Sequence, residues 1–418
     1  MIRLGVVCRR IVRAAMLGVV LAAGSAFAQQ AVAPANMVMT PTGPVAGPLD
    51  VAAALQRFPL DESSQTARQL VPNWTVPKKM VVIVDQPART AWLQAEMPPG
   101  VTVIGVPNGA AAWRELADAN AYVLTEGDCG APRGRDLADI WRSTPKLEWI
   151  HSATGGSDEC MAETSVQNGN ILITNSQKVK SEALEERAFG FIFALARDID
   201  ITLENQRHGS FDAVHDWRPT KQLNGATMLV VGLGGSGTQI AKIASDLGMT
   251  VIATRASSHE GPAYVAYVGL PNELPDLVGR ADIVVIAAPL TPDTRGLFND
   301  AMFSRMKRGA MLVDFTRAEI IVPGDLAAAL RDGRVGSAGL AWASETPLPK
   351  DSPLWTAPNL ILAPWSSVGG SDNIVTLAPA NAQAHLDAEL RWVLVRENMR
   401  RFAAGEKMYS VFNLKRGY

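Results

Sequence analysis

The stretch that decides the fold is LVVGLGGSGTQIAKIASDLGMTVIATR, residues 229–255. An apolar run is followed by the pattern Gly-x-Gly-x-x-Gly, by a helix-like segment and by a second apolar run. This order predicts the strand, turn, helix and parallel strand of a dinucleotide-binding unit. Gly232 would make the tight turn, Gly234 would let the backbone approach a pyrophosphate, and Gly237 would let helix and strand pack closely. The helix N-terminus would offer N–H groups to the phosphates.

The residues after the second strand of this unit indicate which dinucleotide is bound. An acidic residue there would bind the ribose hydroxyls of NAD, whereas this chain has Thr254, Arg255 and Ser257. Arginine and serine can hold a 2′-phosphate, so we favour NADP; NAD is the alternative, with Arg255 merely solvated. The cofactor-binding residues that we assign are Gly232, Gly234, Gly235, Ser236, Gly237, Thr254, Arg255, Ser257, Pro289 and Thr316.

Short apolar runs alternate with helix-like segments along most of the chain. Five runs come first: KMVVIVD, VTVIGV, AYVLT, LEWIHS and NILITN. Six come later: MLVVGLGG, TVIATR, DIVVIAAP, MLVDFT, SAGLAW and NLILAP. One long helical pattern, from about Ser181 to about Asn205, separates the two sets. Strands that alternate with helices predict an α/β protein with two parallel sheets.

The N-terminus has the layout of an export signal. Residues 1–28 contain four arginines, an apolar run and the A-x-A pattern Ala26-Phe27-Ala28, which is typical of a secretory signal peptide. An uncleaved helix is the alternative. The pair Arg9-Arg10 fits a twin-arginine signal and an ordinary charged region equally well. We therefore expect an exported, periplasmic protein, with no membrane span after cleavage because no later apolar stretch is long enough.

The composition excludes several classes of protein. The chain has 418 residues, a net charge of −2 and 19% charged residues, so there is room for two domains and no basic excess for nucleic acid. Two cysteines, Cys129 and Cys160, remain beyond the signal, and their spacing allows either a disulfide or two free thiols. We assign no metal ligands.

Long motifs in the second half carry a family resemblance. Residues 287–340 (AAPLTPDTRG to GRVGSAGL), 345–364 (ETPLPKDSPLWTAPNLILAP) and 400–418 (RRFAAGEKMYSVFNLKRGY) resemble the D-isomer-specific 2-hydroxyacid dehydrogenases, most of all the glyoxylate and hydroxypyruvate reductases. The resemblance runs from about residue 79 to Tyr418. It implies a Rossmann-type dinucleotide-binding domain inserted into a split flavodoxin-like substrate domain, an active site in the cleft, and homodimers formed through the cofactor domain.

The resemblance also implies domain limits. The expected order is a signal peptide (1–28), a linker or N-terminal extension (29–74), the first part of the substrate domain (75–180), the NAD(P)-binding domain (181–369) and the return to the substrate domain (370–418).

Two groups of residues match the family's substrate site. Arg317 in LVDFTRA matches the arginine of V-N-x-x-R-G, although Asp314 and Ala318 replace the asparagine and the glycine. A planar bidentate donor there would bind the substrate carboxylate and polarise the carbonyl. The loop pattern A-G-x-D matches residues 153–158, so backbone N–H groups there would bind a carboxylate. The residues assigned to that loop are Gly155, Gly156 and Ser157. A surface salt bridge for Arg317 and a plain turn for the loop are the alternatives.

Three positions depart from the family pattern. Ala341 replaces an aspartate, Thr346 replaces the glutamate of the proton relay, and Trp365 replaces its histidine. Tryptophan cannot move the proton because its N–H does not titrate near pH 7. Either His151 or Glu345 supplies the proton, or turnover is lost, or the cofactor serves a different, slower redox reaction.

Two functional hypotheses follow from these residues. The first is an NAD(P)-dependent oxidoreductase that transfers hydride between nicotinamide and a small 2-oxo or 2-hydroxy acid. The second is an exported, catalytically impaired protein that binds NADP or a carboxylate.

Overall fold

The computed structural model describes most of the chain from residue 60 to residue 412. The described residues are 60, 62–124, 144–153, 171–176, 182–211, 222–256, 258–341, 348–363 and 382–412, together with two short strands near the N-terminus. Those strands, β1 (Met37–Thr40) and β2 (Gly43–Ala46), form an antiparallel hairpin in a unit that ends at Leu49. Within the residues described, no helix is both long and apolar enough to cross a membrane.

The first half of the unit from Asp50 onward contains a five-stranded parallel sheet. Strand β3 (Glu62–Thr66) precedes this sheet in the chain. The strands of the sheet are β4 (Lys79–Ile83), β5 (Thr102–Val106), β6 (Ala121–Leu124), β7 (Trp149–Ser152) and β8 (Leu172–Asn175). Helices α1 (Ala67–Leu70), α2 (Pro87–Gln94) and α3 (Gly109–Glu115) belong to the same half. The strand order β5-β4-β6-β7-β8 is the flavodoxin-like order, so the five predicted strands and their fold are confirmed.

The second half contains a seven-stranded parallel sheet. Its strands are β9 (Thr227–Val231), β10 (Thr250–Thr254), β11 (Tyr267–Gly269), β12 (Ile283–Ile286), β13 (Ala310–Asp314), β14 (Val335–Leu340) and β15 (Leu360–Leu362). The order β11-β10-β9-β12-β13-β14-β15 is doubly wound and reverses direction at β9, which confirms the Rossmann-type domain. The count of six strands was wrong, because β11 has only three residues and its apolar pattern is too short to identify.

Helices cover both faces of this second sheet. They are α4 (Glu182–Ala196), α5 (Ile199–Arg207), α6 (Gly235–Asp246), α7 (Leu274–Leu277), α8 (Asp300–Arg305) and α9 (Pro323–Arg331). The single long helix expected from Ser181 to Asn205 is therefore wrong. Asp198 has a left-handed backbone (φ 53°), which ends the run of helical residues and turns the chain between α4 and α5.

The C-terminus returns to the first sheet. Helix α10 (Ala382–Ala404) packs its buried Met399 and Phe402 against β4 and β7, and the Phe402 ring stacks on Trp149 with centroids 5.0 Å apart. Strand β16 (Lys407–Tyr409) then pairs antiparallel with β3.

Because β3 pairs with β16, part of the expected N-terminal extension (29–74) belongs to the first half of the fold. Ala67 and Val71, which fall within residues 29–74, are fully buried in the core of the first half. The segment 62–71 is therefore part of that half, because β3 needs β16 as its partner and α1 fills the core beside it. The remaining domain limits stay a prediction.

Candidate functional site

The glycine-rich turn after β9 has a backbone that other residues could not adopt. Gly232 has φ +101°, and a Cβ atom there would lie 2.8 Å from the carbonyl oxygen of Ala287. A Cβ atom at Gly237 would collide with the carbonyl oxygen of Gly232. Both glycines are therefore needed for the close approach of β9, α6 and the end of β12, as the sequence pattern predicts.

Gly234 differs from these two glycines because it faces open space. It is the N-cap of the twelve-residue helix α6, and a Cβ atom there would have no neighbour within 4 Å. Gly235 and Ser236 form the first turn of α6 and are partly exposed. An open face at a helix N-terminus, with N–H groups and the positive end of the dipole, suits a pyrophosphate. The residues present therefore fit a dinucleotide.

The end of β10 carries the residues assigned to the ribose of the cofactor. Thr254 is buried, and its hydroxyl accepts a 3.2 Å hydrogen bond from the backbone N–H of Gly232. Its role in the structure is to hold the glycine turn rather than to face outward. Arg255 is partly exposed, and its guanidinium donates to the carbonyl oxygen of Glu260. Ser257 lies outside the described residues.

The carboxyl ends of β12 and β13 lie at the same edge of the sheet as the carboxyl end of β9. Pro289 is exposed just after β12, and its carbonyl accepts a 2.7 Å hydrogen bond from the Thr294 hydroxyl. Thr316 is partly buried just after β13. Because the strand order reverses between β9 and β12, a crevice for a ligand is expected at this edge.

Arg317 lies in a tight turn that Asp314 holds. The Asp314 carboxylate accepts hydrogen bonds from the backbone N–H and the hydroxyl of Thr316, at 2.7 Å and 2.8 Å. The Arg317 guanidinium donates to the Thr316 carbonyl at 3.2 Å and is partly exposed. Burial raises the pKa of Asp314 to about 7, although the Thr316 hydrogen bonds and the charge of Arg317 act in the opposite direction. The sequence pattern Asp-x-Thr at residues 314–316 is typical of a turn in which the aspartate side chain accepts a hydrogen bond from the backbone two residues later.

Several predicted residues lie outside the part of the chain that the structure describes. The substrate loop residues Gly155, Gly156 and Ser157 lie outside the described residues. The same holds for Thr346, Glu345 and Trp365, for Cys129 and Cys160, and for the expected signal peptide. Ala341 is described: it is buried directly after β14, and its N–H donates to the Asp314 carbonyl at 2.9 Å.

His151, considered above as a proton source, is a core residue of the first sheet. Its ring is fully buried in β7, where Nδ1 lies 2.7 Å from the Thr174 hydroxyl and Nε2 lies 3.2 Å from the Ser176 hydroxyl. Burial lowers the pKa of His151 to about 3. A neutral imidazole with both nitrogens engaged and no exposed surface stabilises the sheet and does not reach a substrate.

We expect His151 to make the protein sensitive to acid. The unfolded chain binds a proton at this residue below about pH 6.5, whereas the folded chain does so only near pH 3, so stability is lost as the pH falls between these values. Between about pH 7.5 and pH 4.5 the wild type should lose roughly 2 kcal/mol more than His151→Asn. Urea unfolding at both pH values measures this. His208→Asn, at an exposed histidine, is the control; equal losses in wild type and His151→Asn would contradict the expectation.

Comparisons with known proteins agree with the geometry. Residues 189–367 match the model of the D-isomer specific 2-hydroxyacid dehydrogenase NAD-binding domain. The chain is 29% identical over 265 residues to a glyoxylate reductase of Korarchaeum cryptofilum, covering 60% of this chain and 78% of that protein. It is 30% identical over 250 residues to a D-3-phosphoglycerate dehydrogenase of Methanocaldococcus jannaschii, covering 60% of this chain and 46% of that protein.

A solved structure has the same fold over most of the chain. It is the NADPH-dependent glyoxylate/hydroxypyruvate reductase of Sinorhizobium meliloti in complex with NADP and sulfate. The TM-score is 0.62 at 21% identity, with 82% of this chain and all of that chain covered. At this identity the likeness concerns the fold.

Proposed function

Because the chain belongs to the D-isomer-specific 2-hydroxyacid dehydrogenase family, we propose that it is an NAD(P)-dependent oxidoreductase that reduces a small 2-oxo acid or oxidises the matching 2-hydroxy acid. One observation supports this proposal independently of the family. The partly exposed Arg317 follows β13, and the open glycine turn at Gly234 follows β9, at the same edge of one sheet. A cation for a carboxylate and a helix N-terminus for phosphates therefore lie at one edge of the sheet, with the end of β12 between them.

Each residue of this edge has a physical role in the proposed reaction. The nicotinamide cofactor, when bound, supplies or accepts the hydride. The α6 N-terminus binds its pyrophosphate, and Thr254 keeps the glycine turn in shape. Arg317 binds the substrate carboxylate and draws electron density from the carbonyl, which stabilises the developing alkoxide.

The proposal is tested by mixing the purified mature protein with NADPH and either glyoxylate or hydroxypyruvate. We expect loss of the reduced nicotinamide absorbance that depends on the 2-oxo acid. Glycolate and glycerate with NADP test the reverse direction. NADPH binding without turnover of any of these acids would contradict the proposal and favour the second hypothesis, a binding protein.

The preference for NADP is proposed from Arg255. We expect Arg255→Ala to weaken NADPH binding roughly 10-fold, because a charge-assisted hydrogen bond to the 2′-phosphate is lost, and to leave NADH binding unchanged. Fluorescence titration of both cofactors measures the ratio of the two affinities. The control is Arg305→Ala, at an exposed arginine of α8. An equal loss for NADPH and NADH would contradict a role in selecting the phosphate.

We also propose that the protein is exported and is cleaved after its signal peptide at residue 28. The charged start, the apolar run and the A-x-A pattern support this proposal. Fractionation of the producing cells, with N-terminal sequencing of the product, tests it. Recovery of an intact N-terminus in the cytoplasmic fraction would contradict it.

A homodimer is proposed from the surface of α4 and α5. Three large apolar side chains are about half exposed there: Phe193 (45%), Ile199 (46%) and Leu203 (47%). An apolar patch of this kind on a cofactor domain suits a second copy of the chain. Sedimentation of the wild type and of Leu203→Glu tests the proposal, since a buried charge should shift a dimer toward monomer; an unchanged sedimentation coefficient would contradict it.

A further inference from the structure

Asp314 is buried and holds the turn that presents Arg317. We propose that Asp314 is a positioning residue for Arg317 and that its charge sets how tightly the site holds the substrate anion. The inference rests on the proposed function, because it assigns Arg317 to a carboxylate substrate. It concerns the regulation of that site and not the hydride step.

The geometry couples the two side chains through one residue. The Asp314 carboxylate holds the N–H and the hydroxyl of Thr316, and the carbonyl of Thr316 holds the Arg317 guanidinium. The backbone N–H of Arg317 also donates to Asp314. On the other side, Ala341 donates its N–H to the Asp314 carbonyl. A change at the carboxylate therefore reaches the guanidinium through Thr316.

The sign of the electrostatic effect follows from this arrangement. Asp314 is only 2% exposed, and burial brings its pKa from the ordinary range to about 7. Below this pH the carboxyl is neutral and does not offset the charge of Arg317. Above it, the carboxylate offsets part of that charge and anion binding weakens.

Among the residues described, the elements packed against Asp314 are β12, β14 and α4. Strand β13 lies between β12 and β14, and neither neighbour carries a titratable side chain. Helix α4 packs against β13 as well. The titratable residues of α4 and of the turn itself are Glu182, Glu185, Glu186, Arg187, Arg317 and Glu319. Among charges, it is that of Arg317 that lowers the pKa of Asp314.

The test is the binding of oxalate, an unreactive analogue of glyoxylate that stays ionised near neutral pH. With the protein saturated by cofactor, oxalate should bind roughly three- to tenfold more tightly at about pH 6 than at about pH 8. By linkage, binding should also take up a fraction of a proton near pH 7.5, measured by calorimetry in two buffers of different ionisation enthalpy. This measurement needs no variant. A flat affinity profile without proton uptake would overturn the proposal.

Variants separate the charge from the hydrogen bonds. Asp314→Asn keeps an oxygen that accepts from Thr316, so we expect wild-type affinity at low pH and no decrease at high pH. Asp314→Ala removes the acceptor and should weaken oxalate at every pH. Asp276→Asn, at an exposed carboxylate of α7, should keep the wild-type profile. A pH dependence that persists in Asp314→Asn would overturn the proposal.

Failure of this inference can be told from failure of the proposed function. If glyoxylate is reduced but oxalate binding does not depend on pH, the proposed role of Asp314 is wrong and the proposed enzyme activity is supported. If oxalate binding follows pH as expected but no 2-oxo acid is reduced, the anion site stands and the proposed reaction fails. Absence of any oxalate binding would overturn the role of Asp314, and the glyoxylate assay alone would then decide the proposed reaction.

Discussion

Replacing Arg317 with alanine is expected to lower kcat/KM for glyoxylate by about 10²- to 10³-fold, the effect of removing a bidentate, charged hydrogen-bond donor from a partly buried anion site. The loss should fall on both kcat and KM, because the guanidinium binds the carboxylate and also stabilises charge on the carbonyl oxygen. Steady-state rates of NADPH oxidation with glyoxylate measure both constants.

Two further variants make this result specific. Arg317→Lys keeps a positive charge but not the planar fork, so we expect it to recover only part of the activity. Arg295→Ala removes an exposed arginine in the loop after β12 and should leave the rates unchanged. NADPH affinity should stay at the wild-type value in all three. Full activity in Arg317→Ala would show that the carboxylate is bound elsewhere.

Replacing Gly234 with valine is expected to weaken NADPH binding at least about 100-fold without lowering stability, because the isopropyl group would fill the space that a pyrophosphate needs. A Cβ atom at this position meets no protein atom within 4 Å, and the backbone (φ −87°) is one that valine can adopt. Fluorescence titration measures the affinity for NADPH, and thermal unfolding without cofactor measures the stability.

Gly237→Ala is the matched comparison. Its Cβ atom would collide with the carbonyl of Gly232, so this smaller substitution should lower both stability and NADPH affinity. The two variants distinguish a glycine whose missing side chain leaves room for a ligand from a glycine whose missing side chain leaves room for neighbouring protein atoms. NADPH affinity at the wild-type value in Gly234→Val would contradict the assignment of the cofactor to this turn.

The sheet strands could be predicted from the sequence because they are buried on both faces. Nine of the eleven runs read as β-branched or leucine-rich segments that the structure buries almost completely, whereas β5 and β15 are partly exposed. The missed strand, β11, has three residues and an exposed Tyr267, so it lacks such a run. The break between α4 and α5 could not be predicted either, since Asp198 looks like any polar residue of a helix surface.

The candidate site was predictable where chemistry depends on residue type at a fixed spacing. The glycine turn belongs to this class, and the role of Arg317 stays a prediction of the same kind. The contributions of Thr254, Asp314 and His151 depend instead on burial, which the sequence does not contain. A threonine assigned to the ribose holds a backbone turn, and a histidine next to the expected substrate loop lies in the core. Burial decides whether a polar side chain can meet a ligand.

The pairing of β3 with β16 has a consequence for the order in which the chain acquires structure. The two strands lie near opposite ends of the chain, and the contact between Glu62 and Arg401 closes a loop of 339 residues. During synthesis, the doubly wound half is complete before α10 and β16 have emerged from the ribosome. The flavodoxin-like half cannot bury its core completely until α10 has been synthesised and has packed against the sheet. Folding of the whole protein should therefore be limited by the docking of its own C-terminus.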